Sequence, residues 1–558
     1  MFEIMTPEKR AKYQTRVYAG GIGGAWAKFK VRTDDNRRRN AAARERSETS
    51  ETEGGPKLTD RGYQGAGGGR AASVGKQSEL RSTSVHAAGA FWPWSVGAGA
   101  PAVGPVIGSH LVTHAPVSFG LRNWFLRGFI TAPVGFVLGL NGYGKSSFVR
   151  KVILGAIAQD VTALFLADKK PDYRALVEEV SGKDAVVDVG YAFGHINPLA
   201  GGALGQIIPM LTPFPELQLR WIEELRGRQS ETTCALLELR RGQALEDWEE
   251  SIIESGIGIL FNEKGFTPAE PPLLENLLEV IIEGHPQLIE DAGADGMEEY
   301  RQAVRPLRRS LRAFVNPTSR FARIFNGQTT NPLSLHYPAI GFDVSHIPNG
   351  DKKLRAAVML VCWSDGFALI DAAHALFDAG LGPQRFFEAV MDEIWDVLGL
   401  GPFMIDRIDA LTRLNRQIAT GLWMITHSMA DLTTSADGAT TARAVGFLER
   451  ARVKIIGPIP PKEIERLDGV VTFTDTEADM VTKWSSPPPM TGDQPREGQP
   501  VPPPPGTGNV LIKTGDDERA PGIPVHVIFT AAEIESGIHN TNARYTTATD
   551  TDTQEDAA

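Results

Sequence analysis

Six short, unbroken apolar runs punctuate the middle of the chain: residues 136–140 (FVLGL), 163–168 (ALFLAD), 339–344 (AIGFDV), 386–393 (FFEAVMDE), 422–428 (LWMITHS) and 452–457 (RVKIIG). Runs of this length without polar alternation suit strands buried on both faces, the condition of a parallel sheet covered by helices. Helical patterns lie between them, among them residues 355–377 and 406–420. The alternation predicts an α/β, doubly wound core with a mainly parallel sheet. Residues 201–335 break it with helix-rich sequence such as ELQLRWIEELRG and PPLLENLLEVIIEGH, which reads as a helical insertion between core segments 106–200 and 336–470.

Both termini lack this pattern. Residues 1–105 mix an opening basic stretch (Lys9, Arg10, Lys12, Arg16) with Ser-, Glu- and Gly-rich sequence, and read as a low-complexity, largely disordered basic arm. Two aromatic spots interrupt it, AGGIGGAWAKFK around Trp26 and FWPW at 91–94; each suits docking on a partner or membrane interface, or folding back onto the body. Residues 471–508 read as a Pro-rich, extended linker, 509–545 as a small strand-bearing tail unit, and 546–558 as a disordered acidic tail.

Composition narrows the class. A chain of 558 residues, 42% hydrophobic and 22% charged, has room for two to four globular domains. Cys234 and Cys362 stand far apart with no C-x-x-C spacing, which excludes a disulfide framework and a cysteine zinc site and points to a reducing, intracellular setting. No run of eighteen uncharged apolar residues and no apolar leader occurs, so the expected location is cytoplasmic, or peripheral at the cytoplasmic face of the membrane. The net charge of −11 hides an asymmetry: through residue 90 there are 17 Lys+Arg against 10 Asp+Glu, and beyond it 40 against 58. An acidic body does not fit a protein whose whole surface grips nucleic acid, although the basic arm suits DNA or an anionic membrane.

The segment Gly139-Leu140-Asn141-Gly142-Tyr143-Gly144-Lys145-Ser146 fits G-x-x-x-x-G-K-[ST], directly after an expected strand and before the expected helix SSFVRKVILGAIA. In that context glycines let backbone N–H groups wrap a phosphate at a helix N-terminus. The expected nucleotide contacts are Gly139, Asn141, Gly142, Tyr143, Gly144, Lys145, Ser146 and Ser147, with Lys145 on the β and γ phosphates of ATP and the Ser146 hydroxyl on Mg²⁺. Such a loop needs an acidic partner at the end of another buried strand. Asp392 and Glu393 close FFEAVMDE; Asp392 is expected to hold the magnesium and Glu393 to act as general base on water. The strand at 422–425 runs into Thr426-His427-Ser428, where ligands of open α/β sheets bind, and His427 is the candidate γ-phosphate sensor. Asp168 ends the second strand, either orienting a loop or capping the next helix. Arg413, Arg416, Arg450 and Arg452 are candidates for an arginine finger reaching a neighbouring subunit.

With these residues in place the chain resembles the conjugation-type ATPases of type IV secretion systems, the TraC and TrbE kind, within the FtsK/HerA-like group of RecA-fold P-loop motors. The resemblance rests on GLNGYGKSS, FLADKKPDYRALVEEVSG followed by GHINPL, GFDVS, VMDEIWDVL and RQIATGLWMITHSMADL, over roughly residues 120–470. Asp168 with Tyr173, Asn197-Pro198-Leu199 and Asp392-Glu393-Ile394-Trp395 resemble family landmarks, and Arg416, eleven residues before His427, resembles the arginine ahead of the family's Thr-Gln-Ser strand. Two departures stand out: His427 occupies the place of the usual glutamine, and the low-complexity arm stands where the family carries a large N-terminal domain. The resemblance implies a RecA-like core, ATP and Mg²⁺ as ligands, a homo-hexamer with ATP at subunit interfaces, and other channel subunits as partners. The function it implies is a motor energising substrate translocation or pilus assembly. A DNA-translocating coupling protein or HerA-like pump, with DNA as partner, and an ATP-binding scaffold with little turnover are the alternatives.

Overall fold

The computed structural model of the chain describes residues 4–18, 21–49, 58–59, 62–63, 100–191, 193–348, 350–394, 420–427, 446, 451–467, 471–486, 504–514 and 521–539. The chain divides into two units, Met1–Thr83 and Ser84–Ala558.

In the first unit, residues expected to lack sustained structure form two helices, Pro7–Tyr18 and Gly21–Thr49, beside a minimal hairpin of β1 (Leu58–Thr59) and β2 (Gly62–Tyr63). Residues 21–49 are rich in Ala, Arg, Lys and Glu, which favour helix without a core. The two helices are joined by charge: buried Asp34 accepts from the Met5 N–H at 2.7 Å, Arg10 at 2.8 Å and Arg38 at 2.9 Å. Trp26 tilts over Tyr13 with ring centroids 5.8 Å apart and stays half exposed. The FWPW cluster lies outside the described residues.

The second unit is built on one eleven-stranded sheet. Its strands are β3 (Val106–His110), β4 (Pro116–Ser118), β5 (Val134–Leu138), β6 (Val161–Asp168), β7 (Val186–Asp188), β8 (Ala339–Asp343), β9 (Phe386–Met391), β10 (Gly421–Thr426), β11 (Val453–Ile456), β12 (Asn509–Thr514) and β13 (Ile523–Val527). They lie in the order β4-β3-β13-β12-β11-β5-β10-β9-β6-β8-β7. From β11 to β7 every pairing is parallel, and all six apolar runs read from the sequence fall on these strands. Alternate residues feed two apolar layers. Phe136, Leu138, Leu164, Leu166 and Met424 face a core containing the helix Lys352–Asp378, while Val137, Phe165, Trp423 and Ile425 face the helix Lys145–Ile157. Lys352–Asp378 is the one helix among the described residues long and apolar enough to cross a membrane, and its apolar window is wholly buried in the protein.

Between β7 and β8 the described elements from Gly202 to Phe325 are all helical. The longest, Pro215–Arg241, packs on Lys352–Asp378, with Arg228 paired to Asp371 and the Thr232 and Ser364 hydroxyls 2.9 Å apart in the buried interface.

Two expectations about the tail are corrected. Residues 509–545 do not make a unit of their own: β12 and β13 add antiparallel to the outer edge of β11, and β3 and β4 continue from β13. That edge would otherwise expose a row of unpaired backbone groups. Nor is the whole of 471–508 an extended spacer, since Asp475–Trp484 is a helix opened by a reciprocal cap between Thr474 and Glu477 and ending before the first proline of the Pro-rich stretch.

Glu477 then reaches into the annex. Its carboxylate accepts from the buried Lys513 ammonium at 2.7 Å, the Gly522 N–H at 2.5 Å and the Thr474 N–H at 2.9 Å. Replacing Glu477 by Ala strands all three donors, and the cost of leaving a buried cation unpaired is about 3–5 kcal/mol. The expected outcome is a clearly lowered urea midpoint for Glu477→Ala and a smaller loss for Glu477→Gln.

Candidate active site

The loop after β5 turns sharply into the helix Lys145–Ile157. Gly142 and Gly144 have φ of 82° and 95°, the left-handed region that favours glycine. At the base of the loop a Cβ on Gly139 would sit 3.1 Å from Cα of Gly457. The loop and the exit of β11 are pinned together there, with the Leu140 N–H donating to Pro458 at 2.9 Å and the Gly457 N–H to Leu138 at 2.7 Å. Lys145 is buried and closes the loop over itself, its ammonium donating to the Leu140 carbonyl at 2.9 Å and to Asn141 Oδ1 at 3.4 Å. Burial lowers its pKa to about 8, against the opposing pull of Asp392 and Glu393.

β10 lies between β5 and β9, with Thr426 opposite Leu138 and Met424 opposite Met391. All three strands therefore end at one edge, and the residues just past them converge. Glu393 has φ of 54°, uncommon for a residue with a side chain and a local strain of the kind found at functional sites. His427 Nε2 lies 2.8 Å from Glu393 Oε1, and Lys170 Nζ 3.2 Å from the same oxygen. Burial alone would raise the Glu393 carboxyl; the His427 hydrogen bond and the charges of His427, Lys169 and Lys170 outweigh it and hold it below its ordinary value. Asp392 is pushed the other way, to about 7, by burial and then by the neighbouring Glu393 charge.

The fourth wall comes from the loop after β6. Asp168, buried, accepts the Tyr173 N–H at 2.7 Å, so it orients this loop. Asp172 on the loop accepts the Ser146 hydroxyl at 3.0 Å, and Tyr173 donates to Asp392 Oδ2 at 3.4 Å. Lys145, Ser146, Lys169, Lys170, Asp172, Asp392, Glu393, Ile425 and His427 line a single cleft.

Of the residues read from the sequence, Lys145, Ser146, Asp392, Glu393 and His427 thus meet. Ser147 is engaged elsewhere, accepting from Arg150 at 3.1 Å, and the Tyr143 hydroxyl points to the Ser485 carbonyl at 3.3 Å. Arg413, Arg416 and Arg450 lie outside the described residues; Arg452 is exposed at the start of β11. Asp172 was not singled out from the sequence, and its signal is its place between Asp168 and Tyr173. Ser146, Asp172 and Asp392 offer hard oxygen donors of the kind Mg²⁺ takes. The raised pKa of Asp392 marks a carboxylate whose burial and like-charged neighbour outweigh the nearby Lys145 charge, and a divalent cation would supply the balance.

No family model matches the sequence, and no curated protein matches it. Among solved structures, the chain is similar to VirB4 of Thermoanaerobacter pseudethanolicus, at 16% identity and a TM-score of 0.54 over 78% of this chain and 100% of that one. The plasmid coupling protein TrwB in complex with ADP and Mg²⁺ follows at 10% identity and a TM-score of 0.39, over 72% and 86%. The likeness to VirB4 establishes the fold, a large, mostly parallel sheet flanked by helices of the RecA-like P-loop type.

A carboxyl whose pKa rises on folding holds its proton longer in the folded chain, so it costs stability as the pH climbs from about 4 through about 7. Asp392→Asn removes that cost. The expected outcome for the nucleotide-free chain is a raised melting temperature at pH 8, worth roughly 1–3 kcal/mol, and little change at pH 4, where the carboxyl is already neutral.

Proposed function

We propose that the chain is an ATP-hydrolysing motor of a type IV secretion or conjugative transfer system. The observation that carries this is the convergence, in a fold shared with VirB4, of a phosphate-wrapping loop after β5 with a polar strand end on the neighbouring β10 and an acidic pair at the end of β9, the next strand over. The loop N–H groups and Lys145 hold the β and γ phosphates, the ammonium exchanging its carbonyl partner on Leu140 for phosphate oxygen. Ser146 and Asp392 would hold Mg²⁺, which would supply positive charge against the charge building on the phosphate oxygens. Asp172, now bonded to Ser146, tunes that hydroxyl.

Glu393 is ionised at neutral pH and fixed by His427 and Lys170. It takes a proton from water as the water oxygen bonds to the γ phosphorus and the bond to the β-phosphate oxygen breaks. His427, in contact with the base, stands where it senses the state of the γ phosphate. Further parts of the reading are a homo-hexamer, an arginine such as Arg416 from a neighbouring subunit, channel subunits as partners and association with the membrane through them.

Steady-state ATP hydrolysis tests the reading. Glu393→Gln is expected to lower turnover by about 10²–10⁴-fold while nucleotide still binds, and Lys145→Ala to lose binding and turnover together. Binding without turnover in the wild-type chain, unchanged by Glu393→Gln, would leave only an ATP-holding scaffold.

A further inference from the structure

We infer that Lys170 is a catalytic cation of the same subunit: its ammonium, which rests on Glu393, moves to the γ phosphate when ATP enters and frees the base in that one movement. The ATP-hydrolysing reading above is the premise. Lys170 adds to it a γ-phosphate ligand that the phosphate loop and the acidic pair do not provide, and one that needs no neighbouring subunit.

The backbone on both sides of Lys170 is fixed. β6 ends in an irregularity against β8 between Phe165 and Asp168, where Ala167 has φ of 79°, a left-handed conformation that a residue with a Cβ keeps only when its surroundings over-determine it. They do: the Val344 N–H donates to the Asp168 carbonyl at 3.0 Å, and the Asp168 carboxylate accepts the Tyr173 N–H at 2.7 Å. Two residues past Lys170, Asp172 accepts the Ser146 hydroxyl at 3.0 Å. The loop is thus anchored to the sheet at one end and to the phosphate-loop helix at the other. From its middle Lys170 extends a flexible side chain, 55% exposed, whose ammonium lies 3.2 Å from Glu393 Oε1 in the cleft that Lys145 also lines.

The pair with Glu393 is easily exchanged. An ammonium this exposed gains little from a carboxylate, because water screens it and the long side chain must be ordered. Glu393 does not depend on it, since His427 Nε2 holds the same oxygen, Oε1, at 2.8 Å. Burial lowers the Lys145 ammonium to about 8, and the charge of Lys170 pushes it the same way, so two like charges face one cleft. The terminal phosphate, with more charge and more acceptor oxygens than a carboxylate, satisfies both ammoniums at once. Burial acts to raise the Glu393 carboxyl, and His427, Lys169 and Lys170 together hold it below its ordinary value. Departure of Lys170 removes one of those charges, so Glu393 becomes the stronger base only with the γ phosphate in place. ADP lacks that phosphate and leaves Lys170 where it is.

Calorimetric titration of the full chain with ADP and with the non-hydrolysable analogue ADPNP, each with Mg²⁺, beside steady-state hydrolysis, tests this. Lys170→Ala is expected to melt as the wild type does, to keep its ADP affinity within about twofold and to bind ADPNP about tenfold more weakly, the loss of one charge-assisted hydrogen bond. Its turnover at saturating ATP is expected to fall by about 10²-fold, as when one preorganised donor is removed. Lys170→Arg, which keeps the charge, is expected to retain most of the preference for ADPNP over ADP. Equal losses for the two nucleotides, or none for either, would overturn the proposal: a lysine that only steadies Glu393 does not tell ADPNP from ADP. A wild-type chain that does not hydrolyse ATP would overturn the ATPase reading and this role together. Hydrolysis by the wild type matched by Lys170→Ala would overturn the role of Lys170 alone.

Discussion

β5, β10 and β9 run parallel and in fixed register, and everything at the cleft inherits that register. Thr426 beside Leu138 and Met424 beside Met391 make the phosphate loop, His427 and the Asp392-Glu393 pair leave the sheet at nearly one height. The apolar alternation enforces the register from both sides. Met424 and Trp423 belong to opposite core layers, so a slip of one residue would put the tryptophan into the methionine's layer and the methionine into the tryptophan's, and turn His427 away from Glu393. The helices on the two faces make that slip prohibitively costly, and the strained φ of Glu393 persists because its surroundings over-determine it.

Charge then differentiates groups that the backbone merely brings together. Asp392 and Glu393 are adjacent in sequence, yet one is pushed up to about 7 and the other held below its ordinary range. The difference lies in their partners: Glu393 faces His427 and Lys170, whereas Asp392 has the Tyr173 hydroxyl and a like-charged neighbour. Two carboxyls with separated affinities for the proton can take separate tasks, one as a base and one as a cation ligand. Lys145, lowered to about 8 by burial, completes a cleft whose charges are unsettled without a ligand.

Much of this was legible in the sequence because it rests on local signals. A loop with glycines at the left-handed positions, an apolar run ending in two acids and a third run ending in Thr-His each predict a strand end with a chemical purpose, and three strand ends at one edge make a site. Asp172 was not legible, since its role depends on how the loop from Asp168 to Tyr173 folds back across the sheet toward Ser146. The helical arm escaped because helix propensity and an ionic bracket around Asp34, rather than apolar periodicity, hold it. The tail misled for another reason: two apolar strands after a proline stretch look like an independent unit, and only the unsatisfied edge of β11 decides where they go.

That annexed edge also explains how the phosphate loop keeps its shape. A loop built on glycine has few side chains to brace it, and backbone N–H groups that must point at one spot need support from outside the loop. Support comes from the last strands of the chain. The Gly508 N–H, at the entry to β12, donates to the Tyr143 carbonyl at 3.1 Å, while the Tyr143 hydroxyl reaches the Ser485 carbonyl at the end of the preceding helix. Nearly two turns into the helix Lys145–Ile157, Lys151 pairs at 2.6 Å with Glu533, which caps the helix Ala531–Glu535 through Thr530. The loop is therefore clamped at its base by β11, along its middle by the approach to β12 and behind its helix by the segment after β13. Strands β12 and β13, remote in sequence from this loop, are part of the structure that holds the cleft in one geometry.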